Sequence, residues 1–168
     1  MNIPNILILL RLSDIGFSTR SVVLLYIFYN AVATLASIPA GVIADRIKPQ
    51  YAYAIGLSAF GITYLLLGTS NNHLLAIIAL GIYGLFPAFT DGVGKSWIGK
   101  LSSKTERGRS QGVYQASMNF AILGAGIWGG ALWRKNDFEL PLVMAGIGAL
   151  IGVLLLLLSY SAITSSTD

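Results

Sequence analysis

Apolar residues along this chain come in long unbroken runs, not in the alternation of a half-buried strand. Residues 21–44, 51–69 and 110–133 contain no charged side chain, and residues 139–161 contain only Glu139 at their edge. Residues 74–97 carry two charges, Asp91 and Lys95, both near the end of the run. A helix rises about 1.5 Å per residue, so about 20 apolar residues cross a bilayer core of about 30 Å. Five runs meet that length. A sixth apolar run, residues 3–10, reaches only about 12 Å, and 3–11 is read as a partial helix. Short polar segments separate the runs: Ser70-Asn71-Asn72-His73, the basic stretch 99–109, and Arg134-Lys135-Asn136-Asp137. Ser18 or Thr19 stands where a helix cap is expected. The pattern predicts an all-α membrane protein with one transmembrane domain over 1–168. It would be a bundle of five full transmembrane helices plus an N-terminal partial helix.

Within the runs, polar residues fall at helical spacing. Tyr26, Asn30 and Thr34 lie four apart on one face of the first full span. Tyr83, Pro87, Asp91 and Lys95 do so in the third, and Gln111, Gln115 and Asn119 in the fourth. A polar group facing lipid tails is costly, so such stripes turn toward protein or a water-filled cavity. The first, third and fourth full spans are expected to line something polar, and the second and fifth to be peripheral. Measured along the helices, Asn30, Thr34, Tyr83 and Asn119 fall near mid-depth, with Tyr26 and Gln115 one turn away. These six are the candidate cavity residues. Amides, hydroxyls and phenols suit a small neutral or amphipathic solute better than a metal ion. Each stripe alone would also serve as interhelical hydrogen bonding. Small residues recur every four positions at Ala33-Ser37-Gly41, Ala36-Ala40-Ala44, Ala121-Ala125-Gly129, Gly126-Gly130 and Gly148-Gly152, spacing that suits close helix approach. Pro39 and Pro87 are expected to bend their helices.

Composition changes the picture in one respect. Only 11% of the 168 residues are charged and 55% are hydrophobic, with mean hydropathy +0.71. A water-soluble domain carries roughly a quarter charged residues, so the bilayer is the expected partner. The net charge of +4 resides mostly in the turns and does not point to nucleic acid. Arg46, Lys48, Lys100, Lys104, Arg107 and Arg109 gather on one side, against Arg11, Arg20, Arg134 and Lys135 on the other. The positive-inside bias places the first group, and the C-terminus, in the cytoplasm. There is no cysteine, hence no disulfide and no thiolate metal site. No catalytic triad, metalloprotease motif or phosphate loop is present; Gly92-Val93-Gly94 follows no strand. Neither an enzyme nor a cofactor is expected. His73, in a turn, is assigned no role.

The charged positions carry the remaining signal. Asp91 and Lys95 form an i,i+4 pair near the cytoplasmic boundary, suited to a structural or gating role. The turn Gly41-Val42-Ile43-Ala44-Asp45-Arg46-Ile47-Lys48-Pro49-Gln50 resembles the cytoplasmic loop signature of the major facilitator superfamily. That signature reads Gly-x-x-x-Asp-Arg/Lys-x-Gly-Arg/Lys-Arg/Lys. Gly41, Asp45 and Arg46 match, whereas Lys48 replaces a glycine and Pro49 and Gln50 replace the last bases. Eroded copies of this kind are usual between helices eight and nine of the family. Thr90-Asp91-Gly92-Val93-Gly94-Lys95, Glu106-Arg107-Gly108 and Gly112-Val113-Tyr114 look like its tenth helix and the start of its eleventh in bacterial members.

The resemblance implies the C-terminal half of such a transporter, from the end of helix seven through helix twelve. It implies transport of a small solute by alternating access in the cytoplasmic (inner) membrane of a bacterium. Helices seven, eight, ten and eleven would line the cavity, with nine and twelve peripheral. Gly41, Asp45, Arg46, Asp91, Lys95 and Arg107 would belong to the gate or its support, and the natural partner would be a missing N-terminal half. On this reading the chain alone is inactive. The alternative is a small non-transporting membrane protein that assembles with itself or binds a partner.

Overall fold

The computed structural model describes residues 3–132 and 139–165, with side chains placed for 5–132 and 139–159. The described residues form α1 (Ile3–Asp14), α2 (Thr19–Arg46), α3 (Pro49–Thr69), α4 (His73–Tyr83), α5 (Leu85–Leu101), α6 (Arg107–Leu132) and α7 (Glu139–Ser165). They contain no strand, and the fold is all-α. The turn at 134–137 lies outside the described residues.

Local chemistry sets the helix ends. Gly16, at φ 104°, ends α1, with its N–H donated to the Ser13 carbonyl and that of Phe17 to the Leu12 carbonyl, both at 3.1 Å. This left-handed closure favours glycine. Ser18 caps α2 by accepting the Ser21 N–H at 3.2 Å, and Asn72 caps α4 by accepting those of Leu74 and Leu75 at 2.8 and 3.3 Å. Pro49 sits in the first turn of α3, where its missing N–H removes no helical bond.

α4 and α5 are two parts of one 29-residue apolar segment, His73–Leu101. It breaks at Gly84, three residues before Pro87, which has no N–H to give the Tyr83 carbonyl. Pro39 does not break α2, which runs continuously for 28 residues.

Among the described residues, four segments are long and apolar enough to cross a membrane: α2, α3, α4–α5 and α7. This is one fewer than the five full spans expected. The difference is α6, which is long enough at 26 residues but less apolar, because Arg107, Arg109, Gln111, Gln115 and Asn119 fall within it.

α3 is the interior helix. α7 packs along one side of it and α4–α5 along the other; α2 lies on α5 and α4, and α6 touches α1 and α5. Half of the apolar window of α3 is buried, against 6% for α2. The second full span is therefore not at the edge of the bundle. Glycines permit these contacts. A Cβ at Gly61 would lie 3.0 Å from the Leu150 side chain, and one at Gly146 would lie 2.9 Å from the Gly61 carbonyl oxygen. Gly56 meets Thr90 and Phe89 in the same way, Gly68 meets Val143, and Gly84 meets Val32.

The larger core cluster includes Ile8, Leu12, Ile15, Leu67, Ala76, Leu80 and Leu142. It occupies the end of the bundle where α1 and α3 finish and α4 begins. A smaller cluster, Ala40, Ala52, Phe89 and Val93, serves the opposite end.

Candidate functional site

Two surfaces carry the polar residues singled out in the sequence. The first comprises the exposed faces of α2 and of α6, two helices that each pack on α1 and α5. Asn30 and Thr34 on α2 and Gln115 and Asn119 on α6 are exposed, and Tyr26 is partly so. On α2, short bonds to the helix's own backbone use up donors. Asn30 Nδ2 donates to the Tyr26 carbonyl at 2.7 Å, Thr34 Oγ1 to that of Asn30 at 2.8 Å, and Ser37 Oγ to that of Ala33 at 2.7 Å. The stripe still offers outward both kinds of group: acceptors at Asn30 Oδ1 and the hydroxyl oxygens, and donors at the second Asn30 Nδ2 hydrogen and the Tyr26 hydroxyl. Large apolar side chains, among them Ile27, Leu35 and Phe120, are exposed alongside.

Tyr83 is buried, where it lines a small cavity together with Tyr26, Tyr29 and Asn5. It is only 3% exposed and sits in an aromatic cluster, its ring 5.1 Å from Tyr29 and 5.8 Å from Phe86. Its hydroxyl donates to Asn5 Oδ1 at 2.8 Å and so ties α4 to α1. A phenol four residues before a proline has the right spacing for an exposed stripe. Instead, α2 and α1 pack over it through Tyr29 and Asn5, and so bury it.

The second surface is a groove of 380 Å³ between the end of α2, the start of α3, and α5. Ser37, Gly41 and Ala44 form one wall, Ala88, Gly92 and Ser96 the other, and Asp45, Asp91 and Lys100 supply its charge. A Cβ at Gly41 or Gly92 would meet nothing within 4 Å, so these glycines keep the groove wide and do not serve helix packing within the described residues. The structure thus brings Asp45 and Asp91, far apart in sequence, into one concavity. Arg46 and Arg107 are exposed and do not line it. Lys95 is exposed too, and its carbonyl accepts Gln111 Nε2 at 2.6 Å, which fixes the start of α6 against α5. Deeper in that contact a Cβ at Gly94 would collide with the Tyr114 hydroxyl.

The Major Facilitator Superfamily model matches residues 1–167, nearly the whole sequence. The chain belongs to the major facilitator superfamily. It is also similar to two uncharacterised MFS-type transporters of Methanocaldococcus jannaschii. One is 29% identical over 133 residues, covering 79% of this chain and 33% of the relative. The other is 26% identical over 149 residues, covering 87% and 37%. A probable vesicular acetylcholine transporter-A of Danio rerio is 28% identical over 104 residues, covering 61% of this chain and 20% of the relative. The chain spans about a third of the length of the first two relatives. Family and apolar helices together make it an integral membrane protein.

Sequence reasoning passed over several residues that the structure uses. Arg11 was counted as a loop charge, yet it is fully buried and bonded to the end of α3. His73, assigned no role, packs against Phe17 with ring centroids 4.5 Å apart and the planes tilted by 51°. The glycines at the tightest crossings, Gly56, Gly61, Gly68, Gly84, Gly94 and Gly146, are absent from the four-residue stripes. The available signal was a spacing of seven, Ala54-Gly61-Gly68 on α3, which keeps one seam of a helix facing its partner.

Proposed function

We propose that this chain is the C-terminal helical module of a secondary transporter, and that it contributes one wall of a solute pathway in a longer protein. The observation that carries the reading is the placement of the polar stripes. α2 and α6 are the least buried long helices of a membrane-protein bundle, and they hold Asn30, Thr34, Gln115 and Asn119 on exposed faces. Lipid is a poor environment for four such groups. A second set of helices enclosing water against this face would satisfy them. The relatives support a longer whole, since the matched stretches of 133 and 149 residues make up only 33% and 37% of them.

The solute is a small organic molecule that can both donate and accept hydrogen bonds, because the exposed positions of α2 and α6 are amides and a hydroxyl. Tyr83 acts from behind, holding α1 against α4 through Asn5. Asp45 and Asp91, in their groove, belong to the cytoplasmic gate with Gly41. Arg46, Lys95 and Arg107 flank it as the basic cluster that fixes orientation. Alternating access by two rocking halves is the mechanism. The protein lies in the cytoplasmic membrane of a bacterium with its C-terminus inside, and it has neither enzymatic activity nor a cofactor.

The test is reconstitution of the full-length protein and of residues 1–168 alone into liposomes, with a panel of radiolabelled small solutes. Saturable flux by the full-length protein and none by the chain alone is expected. Robust flux by residues 1–168 alone would overturn the claim that the pathway needs the rest of the protein.

A further inference from the structure

We infer that Arg11 is a positioning residue that fastens the end of α1 to the α3–α4 turn, so that these helix ends move as one body. The inference rests on the transport reading for its consequence, since only a moving protein needs the distinction.

The geometry is that of a clamp. Arg11 is 0% exposed. Its Nε donates to the Leu67 carbonyl at 2.7 Å; one terminal nitrogen, Nη2, donates to Asn71 Oδ1 at 2.8 Å and to the Ser70 carbonyl at 3.3 Å. Leu67 is one of the last four residues of α3, whose carbonyls have no donor within their own helix. A cation there also meets the negative end of the helix dipole. A planar guanidinium suits the task because its donors diverge in a fixed fork; a lysine ammonium could not span the same three acceptors. Such a group is tolerated in a buried setting only when it is well satisfied.

The surroundings reinforce the same joint. Leu12, beside Arg11, is buried in the core cluster with Leu67 and Ala76. The glycine turn at Gly16 then delivers Phe17 onto the ring of His73 at the start of α4. Asn71 accepts from Arg11, and Asn72 next to it caps α4. One short stretch, 70–73, therefore receives α1, ends α3 and starts α4. At the opposite end of the bundle, α2 and α5 share only the small cluster of Ala40, Phe89 and Val93, and the 380 Å³ groove opens beside it. Helix motion within this module is accordingly confined to the groove end, with the Arg11 end as its fixed point.

The experiment uses the full-length protein in lipid nanodiscs, with nitroxide labels at Asp14→Cys and Leu74→Cys. Both positions are exposed, and this stretch has no cysteine of its own to remove. A single narrow distance distribution is expected with Arg11 present. Arg11→Met is expected to broaden it or add a longer component, and Arg11→Lys not to restore it. An arginine with a merely structural role would lower the melting temperature of R11M and leave the distances unchanged. That result in folded, monodisperse R11M overturns the proposal. If R11M does not fold, Arg11→Lys and Asn71→Ala decide, and distributions as narrow as wild type in both overturn it. Loss of solute flux by the full-length protein bears on the transport reading instead, because the distances are read without any solute.

Discussion

At the residue scale, the glycines fall into two kinds that composition cannot separate. Gly61 faces Leu150 and the Gly146 carbonyl at contact distance, whereas Gly148, on the same α7 as Gly146, has nothing within 4 Å of its would-be Cβ. Substituting them should have opposite consequences. Gly61→Val must push α3 and α7 apart or force strained rotamers, and overpacking of this sort costs about 1–3 kcal/mol. Gly148→Ala gains helix propensity, up to about 1 kcal/mol, and meets no obstacle. Thermal unfolding in detergent should show G61V well below wild type and G148A at or above it. Equal effects would mean that the α3–α7 seam is not where the stability resides.

A buried hydroxyl gives a second residue-scale prediction. Thr63 donates to the Ala79 carbonyl at 3.0 Å and is fully buried. Thr63→Val keeps the shape and removes the bond. A cost of about 0.5–1 kcal/mol is expected in the same melting assay, in line with interhelical hydrogen bonds in membranes. A loss several times larger would show that the hydroxyl serves more than this one carbonyl.

At the element scale, the apolar runs made the helices and the all-α class legible, because length without charge leaves few alternatives in a bilayer. Which helix lies inside was not legible. The second full span looked peripheral because it lacks a polar stripe, yet α3 is the helix on which α7 and α4–α5 pack. In a membrane the buried face is marked by small residues, not by greater hydrophobicity. Its mark here, Gly61 and Gly68, has a period of seven that a search at every fourth position misses. The burial of Tyr83 was hidden for a different reason: spacing along one helix does not show which stretch its neighbours cover, and the interruption at Gly84, where φ −59° and ψ −24° stay helical, does not redirect it. We assign that interruption to Pro87. Pro87→Ala would return an N–H to the Tyr83 carbonyl and should slow hydrogen exchange of the amides across 84–88. Unchanged exchange would place the cause in the Gly84–Val32 contact instead.

At the scale of the whole molecule, the bundle is uneven in two directions. One end is held together by Arg11, the glycine turn and the larger core cluster, while the other opens into the groove shared by Asp45 and Asp91. One side is closed by α3 and α7, while α2 and α6 turn polar groups outward. On the proposed reading, further helices of a longer protein would enclose water against these polar groups. In the isolated chain the polar residues of α2 and α6 and the leucines of α7, such as Leu154 and Leu158, are alike exposed. Only the assembled protein in a membrane separates water-facing from lipid-facing positions. The most direct measurement is therefore thiol accessibility in the full-length protein in its membrane. Single substitutions Asn30→Cys, Thr34→Cys, Gln115→Cys and Asn119→Cys are compared with Leu154→Cys and Leu158→Cys, each treated with a hydrophilic maleimide. Rapid labelling of the first four and little of the last two is the predicted result. Labelling of Leu154→Cys and Leu158→Cys as fast as, or faster than, the α2 and α6 positions would contradict the account.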